Sequence, residues 1–173
     1  MYLKGWYMYM KKLLLLIPLL LVSCAAEPTD PLAYQDGAFR VSASFSADGG
    51  TFRAEIASIP TETGNDLTLT IKDGPLDGVT FGFGENDFIG KDGTKIPMES
   101  GLDGAHEIAG MFDIDKESFY SAEETPEGSL CTFTDGGGMV KYEVLIVDSL
   151  PKRIRATLDD RVIIAEIDEF LPG

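Results

Sequence analysis

From Phe39 onward the chain alternates apolar and polar residues with a period of two, and glycine-rich turns break the alternation at short intervals. Phe39, Val41, Ala43 and Phe45 alternate with Arg40, Ser42 and Ser44; Asp48 to Gly50 supplies a turn that tolerates positive φ; Phe52, Ala54 and Ile56 then resume the pattern. Successive strand side chains point to opposite faces, so such a ribbon buries one face and wets the other. Two alternating runs across a Gly-rich turn predict a β-hairpin.

The pattern recurs. Leu67, Leu69 and Ile71 alternate with Thr68, Thr70 and Lys72, and "KDGPLDG" ends the run. Val79, Phe81 and Phe83 alternate again, "GEND" turns, and Phe88 and Ile89 follow. After "KDGTK", Ile96 to Met98 reads as an edge piece, because Pro97 cannot donate to a central ladder. Asp103 to Ile114 changes period: Ile108, Met111 and Phe112 fall at helical spacing, with Asp103 read as the N-cap. Asp115 to Glu124 reads as a second short helical turn or a loop. Strands return at Leu130–Thr134, at Val140–Ile146, around Ile154–Leu158 and at Val162–Phe170. About nine strands or more with one helical insertion predict an α+β protein, mainly an antiparallel curved β-meander, an incomplete barrel with a short helical lid.

The first residues follow a different logic. Lys4, Lys11 and Lys12 precede the apolar run Leu13 to Val22, which is too short to span a bilayer core of about 20 residues and fits a secretory h-region. Leu21-Val22-Ser23-Cys24 resembles the lipobox of bacterial lipoproteins. That resemblance implies cleavage between Ser23 and Cys24 and a diacylglycerol on the Cys24 sulfur, which anchors the protein at the extracytoplasmic side of a cell membrane. The expected organisation is a signal peptide over 1–23, a tether over 24–36 and one domain over 37–173. Removing the three leader lysines leaves 11 basic residues against 29 acidic, a formal charge of −18. Such a surface repels nucleic acid and anionic headgroups. With Cys24 acylated, Cys131 is expected to be a buried free thiol.

The organisation resembles the LolA/LolB-like lipoprotein-carrier superfamily. The resemblance is carried by "PLAYQDGAFRVSASFS" entering the first strand, by "HEIAGMFDI" after four or five strands, and by the closing "YEVLIVDSLPKRIRATLDDRVIIAEIDEF". It implies a half-barrel wrapped round a helical lid, with an apolar cavity between them. Phe39, Phe45, Phe52, Phe81, Phe83, Met111, Phe112 and Tyr142 are the candidates to line that cavity and hold a lipid or other apolar ligand. A protein tethered at Cys24 departs from the freely diffusing carriers of the family.

Catalytic patterns are missing from the sequence. His106 is the sole histidine, no "GxSxG" elbow precedes a helix, and one histidine with one free cysteine does not make a zinc site. In "FGFGENDFIGKDG" the third position of a dinucleotide fingerprint is Asp87, and Glu85, Asp87 and Asp92 lack the spacing of an EF-hand loop. No cofactor or metal is expected. Two non-enzymatic readings remain: a lipid-binding or lipid-sensing half-barrel, and an envelope module with a filled core that meets a protein partner.

Overall fold

The computed structural model describes residues 30–173, apart from residues 48, 63, 99–102, 136 and 160. The signal segment, Ser23, Cys24 and the rest of the expected tether up to residue 29 lie outside the described residues.

Among the described residues, eleven strands form one antiparallel, curved and unclosed sheet. The first six are β1 (Phe39–Ala47), β2 (Gly50–Pro60), β3 (Asn65–Ile71), β4 (Thr80–Phe83), β5 (Phe88–Lys91) and β6 (Thr94–Pro97). The helix α1 (Asp103–Gly110) follows, and then β7 (Phe119–Thr125), β8 (Gly128–Thr134), β9 (Val140–Val147), β10 (Leu150–Leu158) and β11 (Arg161–Pro172). Their spatial order is β6-β5-β4-β3-β2-β1-β11-β10-β9-β8-β7. The chain therefore starts in the middle of the sheet and walks outward to one edge. It crosses by α1 to the opposite edge and walks back, so that its first and last strands pair. Phe39 lies opposite Pro172 and Ala47 opposite Ile163, with a bulge after Ser42.

The alternation read from the sequence sets the faces. On β1, Phe39, Val41, Ala43 and Phe45 are buried while Arg40 is exposed. β2 buries Ala54, Ile56 and Ser58, and β3 buries Leu67, Leu69 and Ile71. The apolar residues among them share one core with Ala109, Met111, Phe112 and Ile114 of the crossover. Burial of a side chain such as Phe45 or Phe112, each 1% exposed or less, contributes about 1.5–3 kcal/mol.

The crossover differs from the expected helix over 103–114. α1 stops at Gly110, and the chain tightens into three-residue turns in which Met111 N–H donates to Ile108 O (3.3 Å) and Phe112 N–H to Ala109 O (2.9 Å). Gly110 loses more backbone entropy in a helix than other residues, so it is a natural stop. The tightened turn carries Met111 and Phe112, both fully buried, onto the inner face. The segment read as a second short helical turn or a loop over Asp115–Glu124 begins with such a turn and then becomes a strand. Asp115 caps a short 3₁₀ turn by accepting from Glu117 N–H (2.9 Å), and strand β7 begins at Phe119.

Ahead of β1 a 3₁₀ turn spans Ala33–Asp36. Leu32 is fully buried, and Tyr34 meets Phe39 and Phe170 edge-on at 6.0 and 5.7 Å. Packed structure thus begins by Leu32, inside the stretch assigned to the tether.

Candidate functional site

The residues named as cavity candidates all lie on the inner face or the crossover, spread along its length. Phe39 and Phe45 are six residues apart on β1, roughly 20 Å at strand rise. Phe39 stacks on Phe170 (5.3 Å). Phe45 stacks on Phe52 (5.1 Å, 10° between planes) and meets Phe112 edge-on (6.3 Å). Phe81 and Phe83 are buried on β4, and Phe83 packs edge-on against His106 of α1 (5.4 Å). Met111 and Phe112 have no exposed surface. Tyr142, on β9, is half-buried, and it lines an open groove.

Polar ties hold the crossover over this core. Gln35, 6% exposed, bridges the Ile114 backbone: oriented to satisfy both groups, its amide donates to Ile114 O (3.0 Å) and accepts from Ile114 N–H (3.2 Å). Lys116 Nζ donates to Asp36 (2.6 Å) and Asn65 Nδ2 to Asp113 (2.8 Å). Arg161, entering β11, ion-pairs with Glu107 of α1. Sequence reasoning missed Gln35 and Arg161, because neither stands in a recognisable pattern.

An open groove lies beside Tyr142. It has a volume of about 710 Å³ and lies where the crossover meets the end of β8 and the starts of β7 and β9. Asp113, Asp115, Glu117 and Asp135 line it together with Phe119 and Tyr142. Burial raises the Tyr142 phenol above its ordinary pKa, and the carboxylates of Glu107 and Asp135 raise it further. Both carboxylates act in the direction expected of a negative local field.

Other sequence features resolve into structural roles. Gly82 faces a ring: a Cβ there would overlap the Phe88 ring, and Lys95 Nζ sits 4.1 Å from the same ring centre. Gly84 has φ +155°, and its N–H donates to Asp87 (3.1 Å). Asp66 accepts from Glu85 N–H (3.4 Å). These carboxylates bind backbone amides of the "GEND" turn, as acidic turn residues commonly do. Cys131 is a buried free thiol; burial raises its pKa, a hydrogen bond to Ser129 opposes this, and Glu124 adds to it. His106 is exposed on α1. Among the described residues no group of three or more His, Cys, Asp or Glu is placed to hold a metal ion.

The outer face carries ion-pair networks. Glu55 lies between Arg40 (3.7 Å) and Lys72 (3.5 Å), and Glu143 between Lys141 (2.7 Å) and Arg155 (3.3 Å). Leu145 is 5% exposed yet stands outside the main core, opposite Leu130 and Arg153. Long arginine stems cover such apolar spots while their charge stays in water.

No protein-family model matches the chain, and no curated protein sequence matches it. Solved structures do. An uncharacterized conserved protein from Thermus thermophilus is 12% identical with a TM-score of 0.50, and 81% of each chain is covered. MucB is 11% identical with a TM-score of 0.46; the match covers 83% of this chain and 56% of MucB. The MucA/MucB complex of Pseudomonas aeruginosa is matched at 12% identity and a TM-score of 0.42, over 83% of this chain and 54% of the other. At 12% identity the likeness to the Thermus thermophilus protein is one of fold alone.

Proposed function

We propose that this chain is an exported, lipid-anchored, non-catalytic scaffold that binds a protein partner in the bacterial cell envelope. The anchor is the diacylated Cys24 implied by the "LVSC" lipobox, with cleavage after Ser23. The observation that carries the scaffold reading is the filling of the inner face. Phe45 packs ring against ring with both Phe52 and Phe112, and Met111 and Phe112 are fully buried. Ligand pockets are concave, mostly apolar and open to their cargo. Here Phe45 touches Phe52 and Phe112, Phe39 touches Phe170, and the open groove beside the crossover carries Asp113, Asp115, Glu117 and Asp135 among its lining residues.

Two readouts test the proposal together. Metabolic labelling with palmitate marks the wild-type protein and leaves Cys24→Ala unlabelled. A photo-crosslinker at Tyr120, 73% exposed, gives a defined protein adduct in intact cells. An unlabelled wild-type protein overturns the anchor. Adducts with lipid alone overturn the partner reading.

A further inference from the structure

We infer that β7 accepts an extended, lysine- or arginine-rich segment of a protein partner as an added antiparallel or parallel strand, with the acidic groove beside Phe119 receiving one of its cationic side chains. This deepens the proposed function and rests on its reading that the partner is a protein.

The two edges of the sheet differ. β6 is four residues long and ends in Pro97, and its Lys95 lies over Phe88. Short length, proline and lysine are the usual devices that blunt an edge. β7 runs for seven residues without proline or lysine, and all but Thr125 are exposed. It pairs with β8 alone. A register shift between Phe119 and Ser121 makes Tyr120 the extra residue, which leaves Ser121–Thr125 in regular register with β8. The opposite edge of that stretch has no strand against it among the described residues.

Charge selects the occupant. From Asp113 to Glu127 the chain carries six carboxylates, at 113, 115, 117, 123, 124 and 127, and one lysine, Lys116, which binds Asp36. Glu123 stands opposite Leu130 and Glu124 opposite Ser129, so the two project to opposite faces of the sheet. An added strand with basic residues on either face therefore meets a carboxylate. Directly opposed like charges destabilise strand pairing, so a second copy of β7 is disfavoured by the same groups. Strand addition takes affinity from main-chain hydrogen bonds and specificity from pockets for alternate side chains. The groove of Asp113, Asp115, Glu117 and Asp135 supplies such a pocket, and Phe119 belongs both to it and to β7.

The test uses the full chain, purified in mild detergent, with two fluorescein-labelled synthetic peptides of equal charge. One alternates Lys and Val; the other alternates Lys and Pro and cannot donate a full ladder of main-chain bonds. Anisotropy is read at roughly 50 and 300 mM salt, where the screening length shortens from above to below about 10 Å. The Lys-Val peptide is expected to bind, to weaken at least tenfold at the higher salt, and to bind at least tenfold more tightly than the Lys-Pro peptide. The double variant Glu123→Lys/Glu124→Lys is expected to lose at least tenfold in affinity while its circular dichroism is unchanged. Equal binding of the two peptides means general attraction to an acidic protein and overturns strand addition. Absence of binding, or binding unaffected by the charge reversal, overturns it also, as does self-association that the double variant abolishes. A lipid that co-purifies in a filled stoichiometric site would sink the scaffold reading without changing the peptide result, so the two failures are distinguishable.

Discussion

Phe112 of the crossover meets Phe45 of β1 edge-on, with ring centres 6.3 Å apart, and Phe45 in turn stacks on Phe52 of β2. The contact joins the central strand pair to the segment that carries the chain from one sheet edge to the other. Both Phe45 and Phe112 are buried there.

Phe112→Ala is therefore expected to behave as a core truncation, losing about 3–5 kcal/mol of unfolding free energy. Urea titration followed by circular dichroism measures the loss. A loss below about 1 kcal/mol, far under the usual range for a buried ring, would mean that the ring faced a void before the mutation.

Gln35 joins the 3₁₀ turn to the crossover through both polar groups of Ile114. Gln35→Leu keeps much of the volume but strands a buried N–H and a buried carbonyl, at about 1–3 kcal/mol for each unsatisfied group. The expected outcome is a lower denaturation midpoint with faster amide exchange at Ile114, read by hydrogen–deuterium exchange.

The Phe88 ring lies over Gly82, in the space that a Cβ would occupy. Gly82→Ala must displace the ring, an overpacking change expected to destabilise by about 1–3 kcal/mol. The double variant Gly82→Ala/Phe88→Ala should lose less than the sum of the single variants, because the clash disappears with the ring. Additive losses in a denaturation cycle would contradict the stacked geometry.

Glu143 has a lowered pKa. The hydrogen bond from Lys141 is the main cause, burial opposes it, and the charges of Lys141 and Arg155 add to it. A carboxylate depressed in the folded state stabilises the fold at pH values above its unfolded pKa of about 4.3, and that stability is lost as pH falls through the folded value. Glu143→Gln should accordingly be less stable than wild type at neutral pH, and the gap should close on acidification below about pH 4. Denaturant titrations across that range give the gap directly.

Much of the sheet is legible in the sequence because β1, β2, β3 and β9 to β11 each place one side in the core, and burial on one side writes a period of two into the chain. β7 carries no such mark. Its residues from Phe119 to Glu124 are exposed on both faces, so "FYSAEE" has no pattern to read. The pairing of β1 with β11 is equally hidden, since strand order depends on contacts between residues more than a hundred positions apart. Met111 and Phe112 read as apolar lid residues, and Gly110 marks the stop in the sequence, but the tightened turn that carries both side chains into the core is set by tertiary packing. Gln35 reads as a tether residue, and its role arises from a partner at Ile114.

Native mass spectrometry of the protein purified in mild detergent tests the proposed anchored, filled scaffold most directly. The expected mass is that of the chain beginning at an acylated Cys24, with no further molecule bound at unit stoichiometry. A lipid or other apolar molecule retained at one per chain, and lost on Phe112→Trp, would contradict the account.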